Sequence, residues 1–193
     1  MKTVLILLLA LFFLQAFSLK AQAQNPGRIL VAYFSWSGNA KAMAEQIAAE
    51  TGGVLFEIKT VKVYPDTYDE CIDVAKKEQN DKARPALVEN LPNIADYSVM
   101  FLCYPNWWGT LPMGVFTFLE SHDLSGKTIY PLVTHGGSRF GSSLNDLKKV
   151  SPGAQLGEGL TISAFDRNPK NPPTVKSPNS DVTKWLAKLG FNR

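Results

Sequence analysis

Short apolar runs and helical patterns alternate five times along the sequence. The apolar runs predict strands at residues 28–34, 54–58, 97–104, 128–133 and 160–164. A helical spacing of apolar residues follows each run, and the predicted helices begin near Ala40, Tyr68, Pro112, Ser143 and Ser180. Ser143 and Ser180 are the expected caps of the last two helices. This alternation predicts a parallel sheet covered by helices on both faces, with ligands bound at the carboxyl ends of the strands.

The first 23 residues have the layout of a secretory signal peptide. A basic start is followed by an apolar run over residues 4–17 and by the small-residue site Ala21-Gln22-Ala23. The apolar run is shorter than the ~20 residues that span a bilayer. We therefore predict cleavage after Ala23 and no stable membrane insertion afterwards. Residues 24–193 are then about 170 residues long, which predicts a single exported domain, periplasmic or extracellular.

Charge and cysteine content exclude several classes of function. Without Lys2 and Lys20 the chain has 18 basic and 17 acidic residues, a net charge of +1, so no nucleic-acid binding is predicted. The two cysteines and two histidines lack the spacing of a metal site, so no metal is predicted. Cys71 lies in a polar helical stretch and Cys103 ends a buried run. Two free thiols are therefore favoured over the disulfide that export would permit.

The loop after the first predicted strand has the sequence SWSGNA, residues 35–40. It lacks the lysine of a Walker loop, the three glycines of a dinucleotide loop and the glycines that flank a hydrolase serine. It does offer hydroxyls from Ser35 and Ser37, an amide from Asn39 and backbone N–H groups at a helix N-terminus. These groups predict an anion site without cationic side chains. A plain capped turn is the alternative that this loop alone leaves open.

The loops after the third and fourth predicted strands are rich in aromatic residues and in glycine. Residues 104–112 read YPNWWGTLP, and the adjacent tryptophans predict either a platform for a flat aromatic ligand or a cover over the core. Residues 134–142 read THGGSRFGS, in which three glycines allow close approach of the backbone to a ligand. His135 in this loop is open to a structural or a catalytic interpretation. We expect the three loops to meet at one crevice.

Taken together, the segments FSWSGNAK, CYPNWWGTLP and VTHGGSRFGSS resemble the phosphate loop and the two flavin-ring loops of flavodoxins. The resemblance covers about residues 27–190. It implies a flavodoxin-like α/β fold, a three-layer doubly wound sandwich whose five-stranded parallel sheet has the order 2-1-3-4-5. It also implies that FMN binds at the switch point between strands one and three.

The resemblance implies roles for residues of all three loops. The expected phosphate-binding residues are Ser35, Ser37, Gly38, Asn39 and Ala40. The expected neighbours of the flavin ring are Pro105, Asn106, Trp107, Trp108 and Gly109, with the Gly109 carbonyl as a candidate to face the flavin N5. The expected donors to the pyrimidine edge are Thr134, His135, Gly136, Gly137 and Gly141. No catalytic residue is assigned.

Two features depart from the usual flavodoxin pattern. Ala40 stands where the phosphate loop usually ends in a hydroxyl residue, so one charge-assisted hydrogen bond to the phosphate, worth ~1.5–3 kcal/mol, is expected to be missing. Carrier flavodoxins are also usually acidic, which steers them to basic partners, whereas this chain is close to neutral.

Three functions remain open from the sequence. The prediction is a redox protein that transfers electrons through bound FMN to an unidentified partner protein or small molecule, which requires no catalytic acid or base. The alternative is an FMN-dependent oxidoreductase of the NAD(P)H:quinone type, in which His135 is the candidate to protonate the substrate. The third is a binding module that has kept the fold and lost FMN, and Ala40 is its main support.

Overall fold

A computed structural model of the protein describes residues 28–191. The predicted signal peptide and its cleavage site lie outside the described residues. Six parallel strands form one sheet in the order β2-β1-β3-β4-β5, with β6 also paired to β4. The strands are β1 (Arg28–Tyr33), β2 (Val54–Glu57), β3 (Tyr97–Pro105), β4 (Thr128–His135), β5 (Gln155–Leu156) and β6 (Leu160–Ser163). The predicted sheet order and fold class are confirmed.

The fifth position of the sheet differs from the prediction because two short strands share it. β5 pairs with residues 128–129 of β4, and β6 pairs with residues 132–135. Between them Gly157 lies against the ring of Tyr130, and Gly159 lies against Pro131 and Phe140. A side chain at either glycine would meet these neighbours. The backbone therefore passes close to β4 here without continuing the ladder.

In the part of the chain that the structure describes, five α-helices cover the sheet. They are α1 (Asn39–Thr51), α2 (Tyr68–Asn80), α3 (Met113–Glu120), α4 (Ser143–Val150) and α5 (Ser180–Leu189). The predicted caps of α4 and α5 are each wrong by one residue, because Ser142 and Asn179 precede the helices. The hydroxyl of Ser143 is instead buried, where it accepts a hydrogen bond from Tyr104 and donates one to the Phe140 carbonyl. The Asn179 side chain accepts from the Asp181 N–H, which is the bond an N-cap makes.

The two faces of the sheet carry separate apolar clusters. α1 and α5 pack on the face that includes Val31, Phe101 and Cys103. α3 and part of α2 pack on the other face, which includes Leu102 and Cys71. The two cysteines therefore lie on opposite sides of the sheet, and both are free, as the sequence favoured. Within residues 28–191, no helix has the length and apolar character needed to cross a membrane.

Candidate functional site

The three predicted loops meet at one pocket of about 400 Å³ at the carboxyl ends of β1, β3 and β4. The volume is in the range of small-molecule and cofactor sites. Eight of the predicted residues line it: Ser37, Pro105, Asn106, Trp107, Trp108, Thr134, His135 and Gly136. The other predicted residues lie in the same loops or at the start of α1 but are not among those that line the pocket: Ser35, Gly38, Asn39, Ala40, Gly109, Gly137 and Gly141.

One end of the site is formed by the turn that leads from β1 into α1. Gly38 has φ +80, a conformation that favours glycine, and α1 begins directly after it. The first bond of this helix joins the Ala42 N–H to the Gly38 carbonyl. The N–H groups before Ala42 consequently have no acceptor within the helix and carry its partial positive charge. The buried Ser35 Oγ also has no hydrogen-bond partner among the described residues. This end therefore suits an anion.

The side chains of Asn39 and Ala40 do not line the pocket. The Asn39 side chain is buried and bonds to Ser37, Thr174 and Val175. The Ala40 methyl is 1% exposed and belongs to the apolar cluster between α1 and the sheet. A hydroxyl at position 40 would therefore lie in the core in this conformation.

The other end is formed by the loops after β3 and β4, which are joined directly. The Asn106 N–H donates to the Thr134 carbonyl at 2.8 Å, and Asn106 Nδ2 donates to the Arg139 carbonyl at 2.7 Å. Asn106 Oδ1 is buried without a partner among the described residues. The Ser142 N–H donates to the Gly109 carbonyl at 2.7 Å, and the Ser142 hydroxyl oxygen lies 3.1 Å from the same carbonyl. That carbonyl, a candidate for the flavin N5, is thus engaged by the neighbouring loop.

Asp146 completes the junction of these two loops. Its Oδ2 accepts hydrogen bonds from Thr110 Oγ1 and Ser142 Oγ, both at 2.7 Å. Burial alone would raise the pKa of this carboxyl. The two hydroxyl donors, together with Lys149, hold the pKa below its ordinary value. The carboxylate form therefore links one ring loop to the other.

The adjacent tryptophans have different surroundings. Trp107 packs edge-on against Phe34 and Tyr64, with ring centroids 5.2 and 5.0 Å away. Its side chain therefore packs against the core. Trp108 is 48% exposed at the rim, where its indole N–H donates to the Ile72 carbonyl at 2.9 Å. The ammonium of Lys76 lies 4.7 Å from the centre of its ring. Both side chains line the pocket, but Trp107 also covers the core and Trp108 is held against α2.

His135 is neutral and has a defined tautomer in this geometry. The Gly137 N–H donates to His135 Nδ1 at 2.9 Å, so the ring carries its proton on Nε2. Burial, and secondarily the charge of Arg139, lowers the pKa of His135. The neutral ring thus offers one N–H donor, and the Gly137 N–H predicted to bind the pyrimidine edge is used within the loop.

The wall of the pocket opposite these loops was not predicted from the sequence. Trp36 and Ser138 lie within segments that had been singled out, and their side chains line the site. The remaining wall comes from α2 and from the segment after β6. It comprises Tyr68, Cys71, Ile72, Ala75, Ala164, Phe165 and Asp166. Phe165 contacts Tyr68 edge-on at 5.5 Å and lies over Gly136. No local pattern connects α2 with the segment after β6, because only the tertiary fold brings them together.

The polar groups of the pocket are concentrated at its two ends. One end offers helix N–H groups and serine hydroxyls, and the other offers backbone and side-chain groups of two linked loops. Aromatic and aliphatic side chains lie between them. Such a site fits a flat aromatic ring system that bears an anionic tail. The buried, unpartnered atoms Ser35 Oγ and Asn106 Oδ1 lie at the two ends, where the polar groups of such a ligand would be.

Comparison with known proteins gives a consistent result. The family model described as flavodoxin matches residues 28–169. A solved structure of a candidate flavoprotein from Bacteroides eggerthii is 34% identical, with a TM-score of 0.70 over 85% of this chain and 98% of that one. A second, from Bacteroides uniformis, is 29% identical, with a TM-score of 0.71 over 84% and 99% of the two chains.

A more distant structure shares the fold. It is a flavoprotein in complex with FMN from Lactobacillus acidophilus, 20% identical, with a TM-score of 0.63 over 70% of this chain and 93% of that one. A search of functionally curated proteins found no match.

Proposed function

The chain belongs to the flavodoxin family, and we propose that it is a redox protein that binds FMN in the pocket described above and transfers electrons through it. The observation that carries this function is the meeting of an anion-binding helix N-terminus and two linked, ring-flanking loops at one aromatic-lined pocket. The FMN-bound relative from Lactobacillus acidophilus has the same fold and supports this choice of cofactor.

The residues of the pocket fit the parts of FMN. Ser35, Ser37 and the N–H groups at the start of α1 would hold the phosphate, and the loops 105–109 and 134–141 would flank the ring. Bound FMN supplies the redox chemistry. The protein's own part is to hold the ring, to exclude water with aromatic side chains and to offer hydrogen bonds at the pyrimidine edge. The neutral Nε2–H of His135 is one donor available for that edge.

Electron transfer is favoured over catalysis because it requires no catalytic acid or base, although His135 and Asp166 are present in the lining. Burial, with a smaller effect of Glu78, raises the pKa of the Cys71 thiol to about 12, so this pocket residue stays protonated and weakly nucleophilic. The half-exposed Trp108 places an aromatic surface at the rim, where a partner protein or a small donor or acceptor would approach. An NAD(P)H:quinone-type oxidoreductase is the second candidate, supported by the His135 Nε2–H in the pocket.

Two measurements test this proposal. The protein is purified with added FMN, desalted, and examined by visible absorption. We expect a flavin spectrum in stoichiometric amount, and its absence would count against FMN binding. The bound flavin is then mixed with NADH or NADPH under anaerobic conditions. Slow bleaching supports the carrier, whereas reduction within seconds would support the oxidoreductase.

The proposal includes export, with cleavage after Ala23 and a periplasmic or extracellular destination. Its support is the charged start, apolar run and small-residue site of the N-terminal segment. Expression of the full chain in a bacterial host, followed by mass spectrometry, should find a mature N-terminus at Gln24. Recovery of the intact chain from the cytoplasm alone would contradict export.

A further inference from the structure

The segment between β6 and α5 crosses the loop that begins α1. We call residues 165–179 the C-terminal strap. Pro173 lies over Gly38, with its Cγ 3.1 Å from the position that a Cβ on Gly38 would take. Thr174 and Val175 then contact Asn39. The strap thus covers the end of the pocket that suits an anion.

Asn39 is the polar junction between the strap and this loop. Its side chain is 2% exposed and makes three hydrogen bonds. Oδ1 accepts from Thr174 Oγ1 at 3.2 Å and from the Val175 N–H at 3.0 Å, and Nδ2 donates to Ser37 Oγ at 3.1 Å. The two strap donors hold Oδ1 on their side, which leaves the amide nitrogen to face Ser37. The strap therefore determines which way the amide points.

The bond from Asn39 decides what Ser37 can offer a ligand. A serine hydroxyl has one O–H donor and two acceptor lone pairs. Because one lone pair of Ser37 Oγ accepts from Asn39, the O–H remains available to donate. Ser37 lines the pocket, so this O–H is available to a ligand oxygen there. A donor directed at an anion is the orientation that a phosphate requires.

We propose that Asn39 is a positioning residue through which the C-terminal strap orients the Ser37 hydroxyl and so sets the affinity for the phosphate group of the cofactor. The proposal rests on the proposed function, since it concerns the phosphate end of the FMN site. In this proposal the Asn39 amide acts on the phosphate through Ser37, whereas the sequence-based expectation is that it binds the phosphate directly.

The other anchors of the strap lie outside the pocket end that Asn39 controls. Lys170 pairs with Asp66 at 3.0 Å, and Arg167 lies over the Tyr68 ring. These charges are exposed, and such pairs contribute little and are screened by salt. Farther along, Gln46 of α1 bonds to both backbone groups of Asn179. This last anchor joins the same helix to the same strap without touching Ser37, so it provides a matched control.

The test compares FMN with riboflavin, which has the same ring and lacks the phosphate. Dissociation constants for both ligands are measured by flavin fluorescence for the wild type, Asn39→Ala, Thr174→Val and Gln46→Ala. In Asn39→Ala we expect FMN to bind about tenfold more weakly or worse, which is the effect of one lost charge-assisted hydrogen bond. Riboflavin binding should change less than about twofold. Gln46→Ala should lower the melting temperature and leave the FMN-to-riboflavin ratio unchanged.

Thr174→Val removes one strap bond with little change of shape, and it keeps the test informative if Asn39→Ala fails to fold. It should weaken FMN in the same direction and by less. The proposal is overturned if the ratio of the FMN and riboflavin dissociation constants is unchanged in Asn39→Ala and Thr174→Val. It is also overturned if that ratio changes equally in Gln46→Ala. Failure of the wild type to bind either flavin overturns the proposed function itself, so the two failures are distinguished.

Discussion

The Gly109 carbonyl accepts a hydrogen bond from the backbone N–H of Ser142 at 2.7 Å, while the Ser142 hydroxyl, 3.1 Å from that carbonyl, donates to Asp146. This contact joins the loop after β3 to the loop after β4, and both loops line the pocket. It depends on Gly141, because a Cβ there would overlap the same carbonyl. The glycine is required both for its φ of +55 and for this close approach.

Gly141→Ala should therefore separate the two loops. The substitution combines the strain of a positive φ, about 1–3 kcal/mol, with the overlap on the Gly109 carbonyl. We expect reduced stability and FMN affinity weakened by about tenfold or more, measured by chemical denaturation and fluorescence titration. Gly126→Ala is the control, because Gly126 also has a positive φ but faces open space far from the pocket. Equal FMN affinity in the two variants would show that the loop contact is unimportant for binding.

Trp108→Ala should weaken FMN binding or shift its reduction potential. The change removes an aromatic wall of the pocket and the hydrogen bond to Ile72. A loss of about 1 kcal/mol, or about fivefold in Kd, is expected from aromatic contact alone. The readouts are FMN titration and a redox titration of the bound flavin.

Trp185→Phe serves as the control for loss of an indole hydrogen bond. Trp185 belongs to α5, on the other face of the sheet, and its indole N–H donates to the Glu158 carbonyl. This variant should be less stable than the wild type. Its FMN affinity and the reduction potential of its bound flavin should be unchanged. If Trp108→Ala changes neither of these, Trp108 has no part in the site.

His135 should make stability dependent on pH in the acidic range. Its pKa in the folded protein lies below the ordinary 6.5, mainly through burial. The neutral ring accepts from the Gly137 N–H, whereas protonation of Nδ1 would place two donors against each other. The stability that the neutral His135 ring contributes is therefore fully present above about pH 6.5. It is lost as pH falls through the lowered pKa of the folded protein.

This pH dependence is measured by urea denaturation between pH 5 and 7.5. His135→Gln should remove part of the decline in stability at the acidic end, and His122→Gln provides the comparison at the other histidine. An NMR titration of the ring should give an apparent pKa below 6.5. A value above 6.5 would contradict the proposed environment.

Ala40→Ser should not strengthen FMN binding, although it restores a hydroxyl to the end of the phosphate loop. The Ala40 side chain is buried in the cluster between α1 and the sheet. A hydroxyl without a partner at such a place costs about 1–3 kcal/mol of stability. Ala49→Ser, on the exposed side of the same helix, should cost only a few tenths of a kcal/mol by helix propensity. Tighter FMN binding in Ala40→Ser would show that position 40 faces the phosphate.

The sequence pattern by itself was sufficient for the alternation of strands and helices and for the expectation that three loops meet at one crevice, whereas the sheet order came from the resemblance to flavodoxins. Strands with continuous apolar character, such as residues 97–104, are buried on both faces, and this pattern is local enough to read from the chain. Loops at the carboxyl ends of adjacent parallel strands meet at one edge by topology, so the loops after β1, β3 and β4 were expected to converge. Cap positions were missed by one residue, because neighbouring polar residues offer nearly equivalent caps until tertiary contacts select one. Ser143 illustrates this, since Tyr104 draws its hydroxyl into the core.

Only the tertiary structure decided which contacts each residue of the candidate site makes. In the folded chain the Asn39 amide forms hydrogen bonds with Ser37 and with the strap. The Gly109 carbonyl accepts a hydrogen bond from the Ser142 N–H. The tertiary structure also separated the two tryptophans, one against the core and one at the rim. The physical reason is that the direction of a hydrogen bond depends on partners distant in sequence: Asn39 and Val175 are 136 positions apart. A local pattern shows that a donor or acceptor is present, and the packed fold determines where it points.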